Sequence, residues 1–240
     1  DEIRTSTIQS RALGGLANNT VIFCLPGSTG ACRTGWEKII RDQTLDKWLP
    51  AQKVRTSDGT VKTLPYNCSD FAKHNAPTHL GITTVATINL DAPQAAPQRS
   101  SILGEVGEIY ANQNALYLTN RHWWWWPRFN QRDWTYLFKF DLSDVNKARF
   151  VAAGGVDGHI VDQFSMDEDK GYFRIATTLA RQVPDTQNPQ NRWGTIENSN
   201  RITVLNESAG QLVRIGQSPE IAVGERIYSS RFVGDRGFVV

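Results

Sequence analysis

The run Arg121-His122-Trp123-Trp124-Trp125-Trp126-Pro127-Arg128-Phe129 holds four of the chain's eight tryptophans. Indole faces stack on sugar rings and anchor protein partners, and flanking guanidiniums add cation–π and ionic contacts. In an extended segment Trp123 and Trp125 point to one side, and Trp124 and Trp126 to the other. Two strands of one sheet cannot easily cover both sides. Two readings follow: an indole surface offered to a protein or glycan, or a run that packs over its own sheet and a neighbour. Trp134 and Trp193 fit either. Trp123, Trp124, Trp125, Trp126, Arg128 and Trp134 form the candidate ligand or partner surface.

Other chemistry-bearing groups are sparser. Asp167-Glu168-Asp169-Lys170-Gly171 sets acids at alternating positions before a glycine, a fragment of the oxygen-rich loop that binds Ca²⁺. The later Asp/Asn and the distal Glu are missing, so Asp167 and Asp169 read better as part of a solvated hairpin turn, and no cofactor is expected. His74 and His79 flank a Pro-containing loop with Asp70 nearby, a spacing that suits surface histidines better than a metal site. His122 and His159 have no motif partner. Cys24 and Cys32 bracket a Gly-containing loop that would let them form a disulfide; Cys68 is the alternative partner for either, and the spacing fits no zinc pattern. There is no Gly-x-Ser-x-Gly elbow, no phosphate loop and no dinucleotide-binding Gly-x-Gly-x-x-Gly. A catalytic set gathered from distant strands would leave no linear motif.

These residues need elements to hold them. The chain has 240 residues, 40% hydrophobic and 21% charged, enough for a core. Its net charge of +2 lacks the basic excess of a nucleic-acid binder. No apolar run approaches the roughly 20 residues of a membrane helix. With 19 Gly, 10 Pro and 8 Trp against one Met, turns and aromatic-bearing strands should dominate. The strands come in groups of four. Glu108–Ala111, Ala115–Thr119, Thr135–Asp141 and Ala148–Ala153 form one group, separated by turn residues. His159–Ser165, Tyr172–Thr178, Arg201–Asn206 and Gln211–Gly216 repeat it. Glu225–Phe232 and Gly237–Val240 begin a third.

Gly-Glu-Arg-Ile-Tyr-Ser at 224–229 echoes Gly-Glu-Ile-Tyr-Ala at 107–111, giving roughly 50–60 residues per unit, in the range of propeller blades. The expected fold is mainly β: a β-propeller of four-stranded antiparallel blades. Residues 1–104 make the first blade with a helical insertion (about 34–80), in which Trp36, Ile39, Ile40, Leu45, Trp48 and Leu49 show helix-like spacing before Pro50. The second blade is 105–158, the third 159–223, and 224–240 the start of a fourth. That is a partial ring of about three and a half blades, and a propeller must close to shield its edges. The chain starts at Asp1 without Met or a secretory signal and stops in a strand, so a piece of a longer protein is expected. The rest of its own propeller, or another copy, would complete the ring.

Asp162-Gln163-Phe164-Ser165-Met166-Asp167-Glu168 with Gly171–Thr178 resembles the signature of prokaryotic secreted proteins carrying a C-terminal β-propeller domain. Phe138-Lys139-Phe140-Asp141-Leu142, Gly154–Ile160 and Gly224–Phe238 add to the resemblance, which is dense from about 104 to 240; Asp162 stands where the family pattern has Asn. The resemblance implies a secreted, periplasmic or cell-surface protein and brings no catalytic residues. The expected function is a non-catalytic binding or scaffold module for protein or glycan. The alternative is a channel-centred hydrolase whose acids come from several blades.

Overall fold

The computed structural model describes residues 52–56, 58–66, 68–75, 81–122 and 133–240, together with the backbone of two strands, β1 (Leu13–Ala17) and β2 (Thr20–Cys24). The chain divides into two compact units, one of residues 1–71 and 75–80, the other of 72–74 and 81–240.

In the first unit β1 and β2 pair antiparallel, with Leu13 opposite Cys24 and Ala17 opposite Thr20. A hairpin joins β3 (Gln52–Arg55) to β4 (Val61–Leu64). Its turn is set by Asp58-Gly59: the Asp58 carboxylate accepts from the Thr60 N–H at 2.9 Å, and Gly59 takes φ +85°. The described part of the expected helical insertion is thus built of strands and one short 3-10 turn, Cys68–Asp70. The helix-like spacing from Trp36 to Pro50 lies outside the described residues, as does the candidate Cys24–Cys32 disulfide.

The second unit is a succession of antiparallel sheets. β6 (Ile82–Thr87) pairs with β7 (Gln98–Leu103), and β5 (Phe71–Lys73) flanks β7 on its other side. A four-stranded meander follows: β8 (Ile109–Ala111), β9 (Ala115–His122), β10 (Trp134–Asp141) and β11 (Arg149–Asp157). A second meander repeats the plan with β12 (Met166–Asp169), β13 (Tyr172–Val183), β14 (Thr195–Ser208) and β15 (Gln211–Gln217). The hairpin β16 (Ser230–Val233) and β17 (Arg236–Val239) comes last.

The two meanders touch edge to edge through two parallel register pairs, Ala153↔Gln211 and Gly154↔Leu212, which makes one eight-stranded sheet. That sheet curves through 289° round an axis and stays open between its edge strands, β8 and β12. The curvature brings the meanders face to face over a shared core. Ala115, Tyr117, Leu137, Ala152 and Val156 come from the first; Met166, Phe173, Ile175, Leu205 and Leu212 come from the second. Tyr117 stacks on Phe173 with ring centroids 4.1 Å apart.

β10 shows why this architecture differs from a simple half-wet sheet. Period-two alternation would leave one face in water, yet Thr135, Tyr136, Leu137, Phe138 and Phe140 are all buried. Leu137 faces the second meander, while Tyr136 and Phe138 take the His74 ring at 4.6 and 6.0 Å. On that same side Ser100 donates to the Ala148 carbonyl at 2.5 Å, and the Ala148 N–H donates to Thr87 Oγ1 at 2.9 Å. The β5–β7–β6 sheet therefore packs against the outer part of the first meander. The last hairpin binds the second meander through Arg174, whose guanidinium donates to the Gly234 carbonyl at 2.6 Å and lies 5.2 Å from the Phe232 ring centroid. Within the second unit the described sheets thus pack on one another.

Two strand expectations are corrected. His159–Ser165 is not a strand: Gly158 takes φ +88°, and the Asp162 carboxylate caps the 3-10 turn Gln163–Ser165 by accepting from the Phe164 N–H at 2.9 Å. The acidic stretch expected as a turn is instead strand β12, and the reversal falls at Lys170-Gly171, both with positive φ. Across the ladder Asp167 pairs in register with Arg174 and forms a salt bridge with it, which holds an acid-rich segment in a strand.

Candidate functional site

Alternation along an antiparallel meander sends successive connections to opposite ends of the sheet. In the second unit the two ends differ. At one end the connections are 112–114, 142–148, 170–171, 209–210 and 234–235. Several are closed by their own side chains: Asn112 Oδ1 accepts from the N–H groups of Asn114 and Ala115 at 2.8 Å, and the Asp141 carboxylate accepts from the Ser143 N–H at 2.9 Å. At the other end the connections are longer, 123–133, 158–165, 184–194 and 218–229. Of the aromatic residues singled out in the sequence, Trp134 and Trp193 lie at this end.

The Trp123–Trp126 run and Arg128 lie outside the described residues, but both stems of their connection are described. His122 and Trp134 are register partners at the end of the β9–β10 hairpin. Just inside, Arg121 forms a salt bridge to Asp133, and Asp133 also meets His159 Nδ1 at 3.0 Å. Burial works to raise the Asp133 carboxyl, but hydrogen bonds from His159 and Arg121, with the Arg121 charge, outweigh it and hold the group below its usual range. His159 is held by backbone bonds as well: its N–H donates to the Thr178 carbonyl at 2.9 Å, and the Thr178 N–H returns the bond at 2.8 Å. The preceding Gly158 N–H donates to the Asp133 carbonyl at 2.7 Å, and Thr135 Oγ1 donates to the Gly158 carbonyl at 2.6 Å. The connector between the meanders is thus fastened to both.

This Asp133–His159 pair was not legible as a motif, because its members are 26 residues apart and meet only when the β9–β10 hairpin and the 158–165 connector fold onto one end. With Nδ1 on a carboxylate and no partner for Nε2 among the described residues, the ring has the arrangement of an oriented general base.

A second polar cluster lies on the flank of the second meander. Glu220 accepts from Ser199 Oγ at 2.8 Å and pairs with Arg181 and Arg201; the latter nitrogen is at 3.1 Å. The Ser199 hydrogen bond, with these guanidiniums, keeps the Glu220 carboxyl low against the opposing effect of burial. Arg201 also reaches Asp157 at 3.6 Å.

Trp134, half-buried, lies over β11. A Cβ on Gly155 would sit 2.2 Å from its Nε1, so glycine there gives the indole its seat. Trp193 is 63% exposed in the 184–194 connection at the same end. The other sequence candidates fall elsewhere. Asp167 is committed to Arg174, and Asp169 sits on β12 opposite Tyr172. No cluster of three or more His, Cys, Asp or Glu suited to a metal occurs among the described residues. His74 Nε2 lies 3.1 Å from the Gly154 carbonyl and packs on aromatic rings, so it serves the packing between sheets. His79 lies outside the described residues. None of the described helices is long and apolar enough to cross a membrane.

Two kinds of relative emerge from comparison with known proteins. An uncharacterized protein of Methanocaldococcus jannaschii is 31% identical over 116 residues, 48% of this chain and 15% of its own length. An uncharacterized protein of Archaeoglobus fulgidus is 27% identical over 144 residues, 58% of this chain and 20% of its own length. Over a shorter stretch of 43 residues, 18% of its length, this chain is 65% identical to molybdenum cofactor biosynthesis protein B of Escherichia coli K12 and covers 25% of that protein. The chain thus spans a quarter or less of the length of these relatives. No solved structure matches. The profile described as "Beta propeller domain" matches residues 5–240, and the chain belongs to that family.

Proposed function

We propose that this chain is part of a secreted, periplasmic or cell-surface β-propeller that binds protein or glycan as a non-catalytic module. On this reading the two meanders are adjacent four-stranded blades, β16–β17 opens the next, and the described strands before β8 belong to the preceding one. The observation that carries it is the asymmetry of the ends: every long connection between 122 and 230 emerges at one end, among them the one that bears four tryptophans. Rigid strands that present variable loops at one end make a binding surface, and indoles with guanidiniums are the groups that give such surfaces their affinity. The test is a glycan array and a pull-down against candidate surface proteins, with wild type beside Trp124→Ala/Trp125→Ala. Loss of a wild-type ligand in the variant supports the reading; an unchanged ligand set sinks the tryptophan surface.

The Asp133–His159 pair favours a second reading, a hydrolase whose base is His159. Turnover of chromogenic glycosides, esters or lactones that His159→Ala abolishes would support it, and absence of turnover by the wild type would count against it.

A further inference from the structure

β11 and β15 run together for only two register pairs and then part, because the β11 strand continues toward the long-connection end while β15 follows β14. The parting leaves a cavity of about 350 Å³ on the flank between the two meanders, lined by Trp134, Asp157, Arg201, Thr203, Arg214 and Gln217 among others. Gly154 brings the strands this close: a Cβ there would lie 2.6 Å from Leu212 Cβ and 2.7 Å from the Leu212 carbonyl oxygen. Gly155, next to it, leaves the space that the Trp134 indole fills.

The cavity wall has more hydrogen-bond donors than acceptors. Arg201 Nε is buried without a partner, although the other two nitrogens of its guanidinium reach Asp157 and Glu220. The Trp134 indole N–H has no partner among the described residues. Arg214 is exposed and uses one nitrogen on Gln217 Oε1 at 2.8 Å, which leaves the rest of its fork unengaged. Two carboxylates answer them, Asp157 in the wall and Glu220 behind Arg201, but Glu220 is shared with Arg181, so three guanidiniums face two acids. A buried donor left unpaired is costly, and a surplus of donors with a net cationic wall calls for an anionic ligand rich in acceptors. The aromatic wall narrows the class. An indole gains little from a small inorganic anion, but it packs well against the C–H face of a sugar ring. A single sugar ring also suits a cavity of this volume.

We propose that this cleft binds a hexuronic-acid unit, free or at the end of an acidic polysaccharide. Its carboxylate meets Arg214, its hydroxyls meet Asp157, Thr203 and Gln217, and its ring lies on Trp134. The site extends the binding-module reading to a second place on the fold. It rests on that reading for the idea of a glycan ligand, but it needs no contact from the Trp123–Trp126 run.

Calorimetric titration with glucuronate tests it, beside glucose and acetate at equal concentration. Glucuronate should bind at least about tenfold more tightly than either, since a charge-assisted pair is worth that much or more. Arg214→Ala, an exposed change that should leave the thermal midpoint in place, should weaken glucuronate about tenfold. Trp134→Phe should weaken it several-fold and remove the indole N–H resonance that shifts on titration. A glucuronide-terminated oligosaccharide distinguishes free from polymeric ligand, and binding of either supports the site. No binding of either, equal binding of acetate or glucose, or indifference to Arg214→Ala overturns the proposal. Trp124→Ala/Trp125→Ala separates the two readings. If that variant loses its loop ligand and keeps glucuronate, the sites are independent. If it loses glucuronate, the cleft is not a site of its own.

Discussion

Gly158→Ala probes the fastening of the connector between the meanders. Gly158 has φ +88°, where an L-residue with a Cβ is strained by about 1–2 kcal/mol. Its Cβ would stand 2.4 Å from the Thr178 carbonyl oxygen, 2.9 Å from the carbonyl carbon and 3.0 Å from Leu179 Cδ2. The first two are backbone atoms of a central strand, and that same oxygen already accepts the His159 N–H. They cannot rotate aside, so the connector must shift, an overpacking cost of about 1–3 kcal/mol. The sum is about 3 kcal/mol, or a fall of about 6–12 °C in Tm for a unit of this size.

Gly171 supplies the control. It has nearly the same φ, +83°, but no atom stands within 4 Å of its Cβ position. Gly171→Ala therefore carries the backbone strain alone, about 1–2 kcal/mol, and the difference between the two variants isolates the contact with Thr178. Thermal unfolding followed by circular dichroism reads both. Hydrogen exchange should also quicken at the His159 and Thr178 amides in Gly158→Ala and not in Gly171→Ala. Equal midpoints for the two variants, within about 0.5 kcal/mol, would refute the close approach and with it the reason His159 is held against Asp133.

Burial depresses the His74 pKa despite the Gly154 carbonyl, so the folded state holds the neutral ring more strongly than the unfolded chain does. The stability tied to this ring is full above the unfolded value of 6.5 and declines as pH falls below it; His74→Leu should flatten that decline in unfolding curves taken from pH 7 to 5. Asp133 is depressed too, so its contribution is present above 3.8 and lost as pH falls further. Asp133→Asn should be less stable than wild type at neutral pH and converge with it near pH 3. Arg174→Ala removes the salt bridge to Asp167, the bond to the Gly234 carbonyl and the cation–π contact with Phe232. It should cost about 1–2 kcal/mol and speed amide exchange selectively in Ser230–Val239.

The mainly-β character and most strands of the second unit could be read in the sequence because each strand carries its own period. Thr135–Asp141 alternates, and the strand there is Trp134–Asp141. What failed was reading local alternation as strand where a side chain competes for the backbone. His159–Ser165 alternates well enough, but Asp162 bonds to the Phe164 N–H and turns the chain. The acids of 167–169 look like a turn by composition and become strand because Arg174 lies opposite, seven residues along the chain and across a ladder. The same limit hid the Asp133–His159 pair and the Trp134 cleft. Both depend on which residues the meander brings to one end, and no spacing in the sequence encodes that. The glycines of 154–158 were visible as a motif, but their reasons differ: strand contact at Gly154, room for an indole at Gly155, and a left-handed turn under a carbonyl at Gly158.

The parity of the meander separates stability from recognition. At the tight-turn end the reversals leave little room for insertion: Ala209-Gly210 and Lys170-Gly171 both have positive φ and join strands already in register. A residue added there shifts the register by one and turns core side chains such as Phe173 and Leu212 to the wrong side. At the other end a residue added within 184–194 leaves the ladder beneath untouched, because β13 and β14 are paired over twelve register positions before the connection begins. The fold therefore tolerates change where Trp193 and the tryptophan run emerge and resists it where Asn112 and Asp141 cap their own turns. One insertion experiment decides this: a single Gly added after Asn188 should leave the midpoint within about 1 °C, as surface changes do, whereas a single Gly between Ala209 and Gly210 should lower it by about 4–8 °C, the cost of turning a core side chain such as Leu212 outward at about 2 kcal/mol.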